Sequence, residues 1–135
     1  MLECRRSVKY ANWMKRGKVI IQEGAMIQPH ELKVGELLAR TDHDVTFLSV
    51  GLDKSPDIMF RGKKWEIKSP KDSKRRTIEN NIRTALKQSS NIIIDLSRIN
   101  VSEDSCLRYV EDRKGRLGKK YSFLVIKKNK EIVEF

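Results

Sequence analysis

The sequence predicts a mixed α/β domain with one central sheet flanked by helices. Three observations predict it. Residues recur at helical spacing in two separate stretches, Val34-Leu37-Leu38-Thr41 and Ile78-Ile82-Ala85-Leu86. β-branched runs alternate with them, and one, Asn91 to Leu96 (NIIIDL), is apolar on both faces as a central strand is. The resulting order is helix, strand, hairpin, helix, strand, helix, hairpin, which layers helices on a sheet around one core.

The elements follow in chain order. Residues 1–28 are the least defined segment: Val8 to Met14 has the pattern of a short helix, Val19 to Gln22 that of a short strand, and Gly24 is a breaker. Pro29 suits a first helical position and opens a helix to about Arg40, with Glu36 beside its apolar stripe. Val45 to Val50 alternates as a strand. Ile58 to Phe60 and Lys64 to Lys68 form a hairpin about Arg61-Gly62, stopped by Ser69-Pro70. Thr77 is a suitable N-cap for a helix to about Ser89. Ser102 caps another to about Asp112, its dipole favoured by Glu103 and Asp104. Lys114 to Lys120 reads as a basic loop, and Tyr121 to Ile126 and Glu131 to Phe135 pair as strands about Asn129.

At 135 residues the chain is most simply one domain, 1–135. No apolar stretch approaches the roughly 20 residues of a membrane span, so no membrane association is expected. Cys4 and Cys106 have no CxxC partner and no neighbouring His, which leaves no structural zinc pattern. Charge carries more information. Lys and Arg number 29 against 18 Asp and Glu, a net +11, and such an excess favours a polyanion as partner. The surplus concentrates between Arg61 and Arg76, where Arg61, Lys63, Lys64, Lys68, Lys71, Lys74, Arg75 and Arg76 meet only Glu66 and Asp72.

The hairpin that opens this basic stretch carries an acid on each strand, Asp57 and Glu66. With a two-residue Arg61-Gly62 loop, positions across the hairpin pair so that Ile58 faces Trp65 and Asp57 faces Glu66. Directly opposed carboxylates repel, raising one pKa or demanding a cation. Strand alternation sets Asp57, Glu66 and Lys68 on one face and Ile58, Phe60, Trp65 and Ile67 on the other. A type I turn with a left-handed Gly62 would shift the pairing and part the carboxylates. Where they meet, they suit Mg²⁺, which takes oxygen ligands and commonly keeps water with one or two carboxylates and a phosphate. Taken alone, a D-x8-E-x-K pattern of three common residue types more often marks solvated acids paired with lysines.

Glu36 on a helix, a strand, Pro56-Asp57 and then Trp65-Glu66-Ile67-Lys68 resemble the PD-(D/E)xK nuclease core. The wider text, HELKVGELLA, HDVTFL, SPDIMFRGKKWEIKSP and TIENNIRTALKQSSNIIIDL, is similar to the C-terminal tRNase domains of contact-dependent growth inhibition toxins. The resemblance spans about His30 to Arg98. It implies a restriction-endonuclease-like fold, Asp57 and Glu66 as metal-binding acids, Lys68 as catalytic lysine, Glu36 as auxiliary acid and the Ile67 backbone carbonyl as a further ligand. It implies a divalent metal, Mg²⁺ first, with Mn²⁺ or Zn²⁺ as alternatives. Nucleic-acid contacts fall to Lys71, Lys74, Arg75, Arg76, Lys87 and Gln88, with the Lys114 to Lys120 loop as a second grip.

The function expected is metal-dependent cleavage of tRNA by in-line attack of water, leaving 5′-phosphate and 3′-hydroxyl ends. The resemblance further implies a toxin domain acting in the cytoplasm of a target cell and an acidic cognate immunity protein. Two alternatives stay open: a DNase on the same site, and a non-catalytic nucleic-acid-binding domain whose acids are structural. No oligomeric state is assigned.

Overall fold

Seven strands in the order β1 to β7 form the sheet in a computed structural model that describes residues 17–49, 57–71 and 74–135. They are β1 (Val19–Ile21), β2 (Val45–Phe47), β3 (Ile58–Phe60), β4 (Lys63–Lys68), β5 (Asn91–Asp95), β6 (Ser122–Ile126) and β7 (Ile132–Glu134). Among the described residues three helices pack on it: α1 (Pro29–Ala39), α2 (Arg75–Leu86) and α3 (Glu103–Leu117). β1 and β2 run parallel, as do β4, β5 and β6, while β2–β3, β3–β4 and β6–β7 are antiparallel. The expected mixed sheet with flanking helices is therefore observed.

Alternation along the strands divides the core in two. Phe47, Ile58, Phe60, Trp65, Ile67, Ile93 and Leu124 face α1 through Val34 and Leu38. Ile92, Ile94, Phe123 and Val125 face the other way, onto Ile78, Ile82 and Ala85 of α2 and Cys106 and Val110 of α3. Two crossovers of one hand, β4-α2-β5 and β5-α3-β6, set both helices on one face. α1 approaches β2 closely at Gly35, where a Cβ would stand 2.6 Å from the Phe47 ring. The hairpin tip is pinned too: Arg61 lies over the Phe60 ring at 5.0 Å and pairs with Glu134 of β7.

Some expected boundaries move. α2 starts at Arg75, two residues before Thr77, because Lys74 is already extended (φ −96°, ψ 129°) and its carbonyl takes the Thr77 and Ile78 amides. α3 runs to Leu117, so the first four residues of the expected Lys114 to Lys120 loop are helical. Lys114 and Arg116 favour the negative end of its dipole, and Gly118 at φ 88° ends it. Ser102 caps α3 as expected, accepting from the Ser105 amide at 3.3 Å. The expected Val8 to Met14 helix, Trp13, Cys4, Val50, Pro56 and Asp72 lie outside the described residues.

Candidate active site

The hairpin register decides whether the acids meet. Ile58 pairs with Trp65 and Phe60 with Lys63, so the loop is the two-residue Arg61-Gly62. Both take positive φ, 54° and 75°, the requirement of a type I′ turn. Arginine accepts this unfavoured conformation where its guanidinium has Phe60 and Glu134 to hold it. One step beyond the Ile58–Trp65 pair, Asp57 stands opposite Glu66.

Backbone and charge hold the acids in place. The Asp57 carboxylate accepts from the Ile67 amide at 2.9 Å, which ties it across to β4. Lys68 Nζ lies 3.4 Å from Glu66 Oε2. Glu66 is 5% exposed, and its Oε1 is buried with no hydrogen-bond partner among the described residues. Its register partners place it on the α2 side of the sheet: Glu66 pairs with Ile92 and Lys68 with Ile94, both in the core beneath α2. The chemical face is thus roofed rather than open to water. Burial first, then the Asp57 charge, pushes the Glu66 carboxyl up to about 7 against the opposing pull of Lys68. Burial also raises Asp57, partly offset by the Ile67 amide.

Two acids of α1 stand in different surroundings. Glu31 is an α1 carboxylate whose charge raises both Asp57 and Glu66. Helical geometry explains this. The buried stripe of α1 is Val34, Gly35, Leu38 and Ala39, and Glu31 precedes its first two members by three and four residues. Glu36 falls off that stripe, is exposed, and lines a separate cleft with His30 and Arg40. Glu31 also accepts from the Gln28 amide at 2.9 Å, closing a capping box. The missed signal was the N3 acid of a helix opening with Gln-Pro, read only as a start.

The expected contact residues scatter. Lys71, Lys74, Arg75, Arg76 and Lys87 are exposed, with Arg75 paired to Glu79 at 2.8 Å. Lys71 follows Lys68 by three residues. Lys87 and Gln88 sit at the far end of α2, at the level of Lys64, whose carbonyl accepts from Ser89 Oγ and Asn91 Nδ2, each at 3.1 Å. Gln88 Oε1 is buried without a partner among the described residues. Trp65 and Phe60 are core, and Trp65 Nε1 donates to the Phe60 carbonyl at 2.9 Å. Ser69 Oγ donates to buried Asp95 at 3.2 Å. Sequence reasoning passed over Asp95, although an acid closing an all-apolar strand signals a buried polar network.

Residues 54–132, more than half the chain, match the family model of the contact-dependent growth inhibition CdiA C-terminal domain. The chain belongs to that family. The matched span of this CdiA C-terminal domain includes Asp57, Glu66 and Lys68 but not α1. Its fold is similar to that of a chain in the CdiA-CT/CdiI toxin and immunity complex from Burkholderia pseudomallei. The TM-score is 0.65 at 20% identity, over 88% of this chain and 98% of that one. At that identity the likeness shows a shared fold. No curated protein matches this CdiA C-terminal domain.

Among the described residues no three His, Cys, Asp or Glu side chains gather as a metal cage. The donor set is two carboxylates, one with an oxygen lacking any donor. Carboxylate oxygens with room for water suit Mg²⁺.

Proposed function

We propose that this CdiA C-terminal domain is a metal-dependent endoribonuclease of PD-(D/E)xK type that cleaves tRNA as a delivered toxin. The observation that carries the reading is the buried Glu66 oxygen, without a partner among the described residues, beside Asp57 and Lys68. A buried carboxylate with an empty lone pair is costly unless something cationic shares it. Asp57 and Glu66 would hold the divalent ion. The Ile67 carbonyl would join them: an extended strand directs a residue's N–H and C=O to one edge, and the Ile67 amide already faces Asp57.

A bound Mg²⁺ would supply charge neutralisation and a water of lowered pKa. The chain's own residues do the positioning. The Ile67 amide fixes the Asp57 carboxylate, and Lys68, drawn to Glu66, is placed to donate to a phosphate oxygen or to orient the attacking water. Glu31 adds negative charge that favours a cation at this point. Lys71, Lys74, Arg76 and the other exposed cations supply sequence-independent attraction for a polyanion.

The Burkholderia pseudomallei chain is solved as a toxin with its immunity protein, which supports a cognate immunity protein for this chain as well. At +11 the domain would attract an acidic one. The basic rim near Lys71 to Arg76 is the surface we assign to it, since acids gain little against Asp57 and Glu66. Incubation with total tRNA, plasmid DNA and ribosomal RNA, with Mg²⁺ or EDTA, tests the reading. Cleavage of tRNA alone, only with Mg²⁺, is expected. Nicking of the plasmid instead would make it a DNase, and binding without cleavage would leave only a binding module.

A further inference from the structure

A second recess lies between α1 and the C-terminal ends of β5 and β6, apart from the two carboxylates. It encloses about 480 Å³. Its apolar lining is Val34, Leu37 and Ile126. Lys33, Arg40, Arg98 and Lys130 supply four cations. Of its two acids, Asp95 is already engaged by Ser69 Oγ and the Ser97 amide, which leaves Glu36. None of Lys33, Arg40 and Lys130 joins a salt bridge among the described residues.

Arg98 connects this cleft to the hairpin. Its Nη2 donates to the Ser69 carbonyl at 2.5 Å, so the cleft begins one residue beyond Lys68. Its Nε is buried with no acceptor among the described residues. A guanidinium that lines the cleft and is held on one side by Ser69 presents a planar fork that matches phosphate. The volume exceeds what a phosphate alone fills and lies in the ~300–1,000 Å³ range of small-ligand pockets. An apolar lining beneath cations suits a base and ribose with the phosphate outside.

We propose that this cleft seats one unpaired nucleotide of the RNA strand next to the scissile phosphate, with Arg98 on its phosphate. The role as a subsite rests on the nuclease reading above. Paired bases stay stacked and cannot enter such a recess, whereas RNA loops present splayed bases. The cleft therefore selects RNA with an unpaired nucleotide flanking the cut. Arg98 would act as a positioning residue for the strand.

The test uses the metal-free chain, so that binding is read without cleavage. The four ribonucleoside 5′-monophosphates and inorganic phosphate are titrated against it, followed by amide NMR shifts. At least one nucleotide should bind more tightly than phosphate and shift amides around Val34, Leu37, Ser97 and Arg98. Because Arg98→Ala could disturb Ser69, the decisive variant is Lys33→Ala with Lys130→Ala, both on the exposed surface. It should weaken nucleotide binding by about tenfold and raise KM for tRNA while kcat is kept. Phosphate binding as tightly as every nucleotide, or shifts confined elsewhere, overturns the subsite even if tRNA is still cleaved. Nucleotide binding in the cleft with no RNA cleavage at any Mg²⁺ concentration keeps the nucleotide site and removes the nuclease reading.

Discussion

Lys68 Nζ stands 3.4 Å from one oxygen of Glu66, while the other oxygen of that carboxylate is buried with no donor among the described residues. One half of the group faces an ammonium, and in the proposed site a cation would face the other. Asp57→Ala, Glu66→Ala and Lys68→Ala should each reduce tRNA cleavage by at least about a thousandfold, through weaker charge stabilisation and positioning. Circular dichroism should show the fold retained. Two of the three variants keeping near-normal rates would refute the assignment.

The raised Glu66 pKa makes stability fall with rising pH in the absence of metal. Below the ordinary value of 4.5 both folded and unfolded chains hold the proton. Between 4.5 and about 7 the unfolded chain releases it first, so the folded state loses ground, and above about 7 the full cost is present. Glu66→Gln should therefore stabilise the chain in EDTA at pH 8 by about 1–3 kcal/mol and have no such effect at pH 4. Urea unfolding at both pH values measures it. Equal effects at the two pH values would contradict the cause.

Metal binding should follow the same titration with the opposite consequence. A proton on Glu66 competes with the cation, so affinity should fall about tenfold for each pH unit below 7. Asp57→Asn removes the second cause of the shift, so the remaining Glu66 titration should move down in pH. Mn²⁺ titration by calorimetry, with carboxyl NMR for Glu66, reads both effects.

Much of this was legible in the sequence, for identifiable reasons. Two turn types were open for the Arg61-Gly62 loop and only the structure decides between them, whereas Trp65 and Ile67 were assigned to the core by alternation alone. The roof over Glu66 was not legible, because it depends on where α2 returns across β4 and β5. Glu36 came from the resemblance alone, and Glu31 was not singled out because nothing in the local sequence shows which helix acid lies nearer the hairpin. Arg98 and Asp95 escaped because their link to Ser69 joins residues 26 to 29 positions apart.

The Glu31 finding separates the two helix acids experimentally. Glu31→Gln should lower the Glu66 pKa and weaken Mg²⁺ binding, since it removes a negative charge acting on both acids. It should leave the capping box in place, because a glutamine oxygen at N3 still accepts from the Gln28 amide. Glu36→Gln should leave metal affinity unchanged. Reversal of that order in Mn²⁺ titrations would restore Glu36 as the auxiliary acid.

Binding to RNA should be electrostatic and separable from cleavage. Replacing Lys71, Lys74 and Arg76 together should weaken affinity and flatten its salt dependence, by about 0.7 to 0.9 in slope for each phosphate no longer neutralised. Filter binding across a salt series with Asp57→Ala as background gives the slopes. An unchanged slope would move the footprint elsewhere on the surface.

The central claim is that water, placed by Asp57, Glu66 and Lys68 with a divalent metal, cuts the phosphodiester. The ends of the tRNA fragments report this most directly. Fragments made with Mg²⁺ should carry 5′-phosphate and 3′-hydroxyl termini, ligatable without prior treatment, and none should form in EDTA. Fragments ending in 2′,3′-cyclic phosphate that still form in EDTA would show the RNA 2′-hydroxyl attacking instead, and Asp57, Glu66 and Lys68 would not be the groups that cut.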